Sequence, residues 1–154
     1  MRTMVTIGDR KVIPTDKILT DLAYQIARMQ PVVVRVRARV SLEVSTEIEK
    51  AIVELATKMR TNGFDVHVER HIPDGKGRRH NWLRDRELVR GADKVVACFS
   101  NSDLHVGGTA HALWSAINCG IHSEAWVMSE GVDPMIYEYN QDDEHESQWN
   151  TADH

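Results

Sequence analysis

Short apolar runs alternate along the chain with longer stretches in which apolar residues recur every three or four positions. Short runs are typical of buried strands, whereas the three-to-four spacing is typical of amphipathic helices. Because strands and helices alternate, right-handed crossovers place the strands in a parallel sheet with helices on both faces. The pattern therefore predicts an α/β fold with a mostly parallel, five-stranded sheet. The predicted strands are Met4–Ile7, Val32–Val34, Phe64–Val68, Val95–Phe99 and Ile121–Val127.

Signals at the helix ends support the same order of elements. Thr15–Asp16 marks the start of a first helix, and Asn62–Gly63 marks the end of a second. A third helix is predicted from about residue 80 to residue 89, and a fourth follows a glycine loop. Beyond the fifth strand the pattern weakens, and Pro134–Tyr139 fits either a short last strand or a packed extension.

Composition indicates one domain of ordinary globular character, over residues 1–140, followed by an acidic tail. The chain is 42% hydrophobic and 27% charged, and its net charge is −4. Residues 141–154 hold five acidic residues and no Lys or Arg, so the rest of the chain has 19 basic residues against 18 acidic ones. A nearly neutral body argues against a general nucleic-acid binder. We expect residues 141–154 to be flexible.

The same composition favours a cytosolic protein. No apolar run approaches the ~20 residues that a membrane-spanning helix needs. The N-terminus also lacks the apolar stretch of a signal peptide. Cys98 and Cys119 have no CxxC spacing and no companion ligands, so we expect both to be buried free thiols.

The stretch from Asp93 to Gly120 contains the most informative pattern. An apolar strand is followed by a polar loop, then by Gly107–Gly108–Thr109, then by a helix. This order places backbone N–H groups at a helix N-terminus, where an anion can bind. Thr109 fits both a helix N-cap and a hydroxyl donor to a phosphate. The Gly8–Asp9–Arg10 turn after the first strand is a second place of close approach.

Two basic segments lie near the same predicted edge of the sheet. Arg35, Arg37 and Arg39 alternate with small or apolar residues, which puts them on one side if the strand extends that far. They fit either an exposed strand end or an arginine-lined anion pocket. Residues 70–90 hold seven Lys or Arg against three acids, which fits either a solvated helix face or a ligand-binding loop.

Five motifs occur in an order and spacing that together resemble the SLOG superfamily, the domains of the DNA-processing protein A and Lonely Guy families. They are Thr6–Arg10, Arg79–Asn81, Ala92–Ala97, Gly107–Thr109 and Ala116–Gly120. The resemblance covers about residues 1–128 and is greatest to the small single-domain members. It implies a Rossmann-like three-layer sandwich that binds a nucleotide or a nucleotide-derived ligand at the carboxyl ends of the strands.

Two departures from the family pattern bear on function. The small members carry a glycine-rich segment after the second strand, where this chain has Arg35–Ser41 without glycine. Arginine side chains bind an anion from further away than a glycine loop does, which indicates a different or larger ligand. The Lonely Guy enzymes also carry a glutamate three residues after the loop threonine, where this chain has Ala112.

These observations favour a binding domain without a cofactor or a metal, since the two histidines of His67–His71 lack the HExxH spacing. The alternatives are an N-glycosidic hydrolase or transferase, with Asp9, Asp103 or His105 as candidate catalytic residues, and a nucleic-acid binder of the DNA-processing type. We expect Trp82 and Trp114 to be core or interface residues, and the chain to form a homodimer or higher oligomer. The predicted ligand-binding residues are Gly8, Asp9, Arg10, Arg35, Arg37, Arg79, Asn81, Gly107, Gly108 and Thr109.

Overall fold

The structure is a computed structural model and describes residues 1–129 and 132–140. Strands and helices alternate from the first strand to the fifth, and a sixth strand follows directly. The elements are β1 (Arg2–Gly8), α1 (Asp16–Met29), β2 (Val32–Arg37), α2 (Glu47–Thr61), β3 (Val66–His71), α3 (Arg78–Val89), β4 (Lys94–Phe99), α4 (Gly108–Asn118), β5 (Ser123–Ser129) and β6 (Val132–Tyr139).

All six strands belong to one sheet with the order β3-β2-β1-β4-β5-β6. The strands from β1 to β5 are parallel, and β6 is antiparallel to β5. The α/β class and the Rossmann-like sandwich are confirmed, although the sheet has six strands and not five. From β1 the chain crosses towards β2, and from the neighbouring β4 it crosses the opposite way towards β5. This reversal opens a crevice at the carboxyl ends of β1 and β4.

Each face of the sheet has its own apolar core. On one face, α1 and α2 pack Leu22, Ile26, Ile48 and Ile52 against the sheet, with the buried indole of Trp126 in the same cluster. On the other face, residues of α3 and α4 pack against Val5, Ile7, Val95 and Phe99. The predicted apolar stripes of the first two helices account for the first core. Both cores hold the carboxyl ends of β1 and β4 in fixed positions.

The four helices begin in two different ways. The hydroxyls of Thr15 and Thr46 accept backbone N–H bonds and cap α1 and α2. The N-caps of α3 and α4 are Gly77 and Gly107, with φ of 106° and 96°, and neither has a side-chain cap. The prediction that Thr109 is a helix N-cap is therefore wrong, because α4 begins one residue before it. The first N–H groups of α3 and α4 are left for another partner.

The two cysteines differ in exposure. Cys98 is buried in β4, as expected, and burial raises the pKa of its thiol well above the ordinary value. Cys119 is exposed at the C-terminus of α4, so the prediction that both thiols are buried is wrong for this residue. Within residues 1–129 and 132–140, no helix has both the length and the apolar character that crossing a membrane requires. The predicted acidic tail, residues 141–154, lies outside the described residues.

Candidate functional site

A cleft of about 1600 Å³ opens at the carboxyl ends of the strands. Its walls are the loops that follow β1, β2, β3 and β4, together with one side each of α3 and α4. The uncapped first turns of α3 and α4 both line it. The topology therefore places the cleft where parallel α/β sheets bind their ligands.

Arg37, the last residue of β2, forms part of the floor of the cleft and is only 5% exposed. Its Nη2 donates to the carbonyl oxygen of Gly8 at 2.8 Å and to the hydroxyl of Thr109 at 3.1 Å. Its Nε donates to a carboxylate oxygen of Glu49 at 3.0 Å. One guanidinium thus connects the end of β1, the first turn of α4 and the first turn of α2.

Glu49 is fully buried beside this guanidinium, below the cleft floor. Its Oε2 accepts from Nε and Nη2 of Arg37 and from the backbone N–H of Gly8, the last at 2.9 Å. Burial alone lowers the pKa of Arg37, but Glu49, Asp85 and Asp9 outweigh this effect, and the net pKa is raised. Arg37 is therefore a fixed, permanently charged group.

The remaining nitrogen of Arg37, Nη1, is directed at the first turn of α4. Among the described residues, it has no hydrogen-bond partner. A Cβ added at Gly108 would lie 3.4 Å from it. A cationic N–H group therefore lies beside Gly108, in the uncapped first turn of a helix. This arrangement fits an anion better than any neutral group.

Gly8 allows the chain to approach this closely. A Cβ at Gly8 would lie 2.3 Å from Cγ2 of Ile48 and 3.2 Å from Cβ of Cys98. No side chain fits there without displacing the core, so glycine is required for steric reasons rather than by its φ angle. The same residue donates to Glu49 and accepts from Arg37, which ties the floor of the cleft to β1.

A second buried ion pair lines the cleft from α3. Asp85 is 1% exposed, its Oδ1 accepts from Nε of Arg84 at 3.1 Å, and Nη2 of the same guanidinium lies 3.0 Å from Oδ1. Nη1 of Arg84 donates to the carbonyl oxygen of Ala38 at 3.1 Å, which fixes the guanidinium. Burial raises the pKa of Asp85, while Arg37, Arg84 and His111 act in the opposite direction. A carboxyl with a raised pKa in a cleft is a candidate functional group.

Two stacked pairs of rings line the side of the cleft. The rings of Trp82 and His111 are 5.2 Å apart, and those of His105 and Trp114 are 4.9 Å apart. Trp82 is 45% exposed and lines the cleft, so of the two predicted roles the core is excluded and an interface stays a prediction. Nδ1 of His111 is shielded from solvent and has no hydrogen-bond partner among the described residues. The walls can therefore contact a planar ring.

Basic side chains surround the opening. Arg10, Lys76 and Arg78 are exposed there and form no ion pair with any residue in 1–129 or 132–140. The guanidinium of Arg78 lies 6.0 Å from the ring centre of Trp82. Arg39 is also at the opening and is 3.7 Å from the carboxylate of Glu43. These cations attract anions towards the cleft without being committed to a single protein partner.

Most residues predicted from the sequence do line the cleft. These are Gly8, Asp9, Arg10, Arg37, Asn81, His105, Gly107, Gly108 and Thr109.

Three predicted residues do not line it. Arg35 donates to the carbonyl oxygens of Leu88 and Arg90 at 3.2 and 2.7 Å, so it stabilises the end of α3. Arg79 is exposed on α3, outside the cleft lining. Asp103 is exposed, and its carboxylate accepts the N–H of His105 at 3.2 Å. The predicted wall of three arginines is therefore reduced to Arg37 and Arg39, since β2 ends at Arg37.

Ala112 is fully buried in the core beneath α4. A side chain at this position faces the sheet in this chain, so the carboxylates available to the cleft come from elsewhere. They are those of Asp9 and Asp85.

Sequence reasoning missed Glu49, Asp85 and His111. Thr46 and Glu49 have the T-x-x-E spacing of a capping box, in which a glutamate normally turns back to the helix N-terminus. In the structure the hydroxyl of Thr46 does accept the N–H of Glu49, but the glutamate binds Arg37 instead. No local pattern distinguishes these two outcomes.

One group of three side chains in the described part of the chain has the spacing of a metal site. His122, Glu124 and Glu138 offer ligand atoms that all lie within 4.8 Å of one another. However, Nζ of Lys94 is 2.9 Å from Glu124, and Trp126 donates to the same carboxylate. Burial raises the pKa of Glu124, but these contacts outweigh it and lower the pKa, so the Lys94 ammonium already compensates this carboxylate.

A scan against protein-family models finds no match to this chain, and a search of curated proteins finds none either. The resemblance to the SLOG superfamily therefore stays a prediction.

Proposed function

We propose that this protein is a binding domain for a nucleotide or a nucleotide-derived small molecule. The observation that carries the proposal is Nη1 of Arg37, which belongs to a buried cation, has no partner among the described residues and faces the uncapped first turn of α4. A phosphoryl oxygen beside Gly108 accepts from this nitrogen and from the helix N–H groups together.

The rest of the cleft suits the rest of a nucleotide. A volume of about 1600 Å³ exceeds the roughly 300–1,000 Å³ of typical small-molecule sites, so the ligand extends well beyond one phosphate. The Trp82–His111 and His105–Trp114 pairs offer ring surfaces for a base. Asp9 directly follows β1 and lines the cleft, where its carboxylate can accept from a ribose hydroxyl.

A thermal-shift screen tests the proposal. The panel consists of AMP, ADP-ribose, cyclic ADP-ribose, NAD and nucleoside monophosphates, each followed by analysis for released base. A ligand at 100 times its Kd stabilises the native state by about 2.7 kcal/mol. Stabilisation with an intact ligand is the expected result. If no member of the panel raises the melting temperature, the proposal is wrong.

An N-glycosidic hydrolase or transferase is the second candidate, and Asp85 is the observation in its favour. Asp85 is a buried carboxyl with a raised pKa that lines the cleft beside His111. A carboxyl in this state suits proton transfer to a leaving base. Base released by the wild type and not by Asp85→Asn, with ligand still bound by the variant, would favour this candidate over the first.

The predicted homodimer is tested separately. Light scattering after gel filtration gives a mass near 17.5 kDa for a single chain and twice that value for a dimer.

A further inference from the structure

The floor of the cleft and its opening differ in charge. Around the nitrogen that faces Gly108, the charged groups are Arg37 and Arg84 on one side and Glu49, Asp85 and Asp9 on the other. These three carboxylates all act on the pKa of Arg37, so they lie within its electrostatic reach. Burial raises the pKa of Asp85, and these five groups sum to −1 with its carboxyl ionised and to zero with it protonated, so the sum is positive in neither state.

Cations that form no ion pair with any described residue lie instead at the opening. Arg10, Lys76 and Arg78 are exposed and line the outer part of the cleft. They attract anions of any charge, but water and salt screen them. The buried floor is screened much less, so it decides how much charge the bound group carries.

A floor without net positive charge discriminates between two kinds of phosphoryl group. A terminal phosphomonoester carries a charge of −1.5 to −2 near neutral pH, whereas a diester or an internal phosphoryl group carries about one. Both kinds accept the N–H bond of Arg37 and those of α4. Only the dianion brings a second negative charge towards Glu49 and Asp85. No positive group on the floor is left to compensate this second charge.

We infer that this subsite selects a singly charged phosphoryl group, and that Glu49 is the specificity-determining residue because it neutralises Arg37 from below. This inference rests on the proposed function. The ligand class is then a nucleotide whose phosphorus is esterified on both sides, or one that contains an internal diphosphate. Arg37 donates the hydrogen bond that orients the phosphoryl group, and Glu49 offsets the charge of Arg37, so that a second negative charge on the ligand is not favoured.

The test compares AMP with its methyl ester, adenosine 5′-(methyl phosphate). The ester keeps the base and the ribose, and the methyl group on one phosphate oxygen removes one charge. Titration calorimetry at pH 7.5 should give a Kd about tenfold lower for the ester, since a unit charge near a partly desolvated site has an effect of this order. Glu49→Gln should remove the preference, because the uncompensated guanidinium then favours the dianion. Glu47→Gln, which removes an exposed charge from the same helix turn, should leave the preference unchanged.

Equal or tighter binding of AMP by the wild type would overturn the inference. An ester preference that survives in Glu49→Gln would also overturn it, since the methyl group and not the charge is then responsible. If Glu49→Gln does not fold, Asp85→Asn should shift the preference towards AMP, and an unshifted ratio counts against the inference. If ADP-ribose binds while AMP and its ester bind equally, only this inference fails. If the ester and every nucleotide of the thermal-shift panel fail to bind, the proposed function fails with it.

Discussion

Gly108→Ala should separate ligand binding from stability. Gly108 is the first residue of α4, and its φ is not among the positive values of the described glycines, so alanine fits its backbone. The new methyl group would touch Nη1 of Arg37 at 3.4 Å, an ordinary contact distance. Alanine is better than glycine inside a helix by up to about 1 kcal/mol. We therefore expect the free energy of unfolding to be unchanged or slightly higher.

The same methyl group should block the anion. An oxygen that accepts from a guanidinium N–H lies at about 2.7–2.9 Å from the nitrogen, and a carbon at 3.4 Å occupies that approach. One hydrogen bond to a charged group contributes about 1.5–3 kcal/mol. Losing it should raise the Kd for ADP-ribose by about 10- to 100-fold, since 1.4 kcal/mol corresponds to a factor of ten.

Calorimetry with ADP-ribose and urea unfolding measure the two quantities. Thr20→Ala, on the exposed side of α1, is the matched control, because it raises helix propensity away from the cleft. It should leave the Kd unchanged. A Gly108→Ala variant that is as stable as the wild type and binds ADP-ribose equally well would refute the anion site beside α4.

Three further predictions concern single groups. Arg35→Met should lower the free energy of unfolding by about 2 kcal/mol, because the carbonyl oxygens at the end of α3 lose a charged donor. The variant should leave the Kd for ADP-ribose within twofold. A large loss of binding would show instead that Arg35 contacts the ligand. A thiol reagent should label Cys119 in the native protein and leave buried Cys98 unlabelled until urea is added, so Cys119→Ser should show no labelling when folded. Because the pKa of Asp85 is raised on folding, its contribution to stability should fall as pH rises from its unfolded pKa of about 4 through its folded pKa. Urea unfolding at several pH values across this range gives the free energy of unfolding as a function of pH. The slope of this function should be less negative for Asp85→Asn than for the wild type, and parallel curves would contradict the raised pKa of Asp85.

The fold could be predicted because its signals are local and repeated. An apolar stripe predicted α1, and all its residues except the half-buried Leu19 are buried in the structure: Ile18, Leu22, Ile26 and Met29. The cleft could be placed because parallel strands bring their following loops to one edge, which required only the order of elements. The last strand was ambiguous because Pro134 lies in it and its side chains are largely exposed.

The charges of the floor could not be predicted, because they depend on contacts between residues far apart in the chain. Arg35 and Arg37 have the same place in the alternating pattern, yet one meets the end of α3 and the other meets Glu49 and Gly8. They meet different partners because they lie at different positions along β2 and therefore beside different helix ends. The sequence locates helix ends only to within a few residues, so it does not predict these contacts. Likewise, nothing near Asp85 indicates that this member of a charged helix is the buried one.

The contrast between threonine and glycine N-caps predicts different dynamics for the helices on the two faces of the sheet. The helices α1 and α2 are capped by the hydroxyls of the threonines that precede them, whereas the first turns of α3 and α4 have no side-chain cap. Local opening is easiest where backbone groups are exposed to solvent. Amide exchange in the first turns of α3 and α4 should therefore be fast in the free protein and slow when ligand is bound, while α1 and α2 change little. A bound ligand would then act as the missing cap of α3 and α4. Ligand binding would order the helices on that face of the sheet and leave those on the other face unchanged.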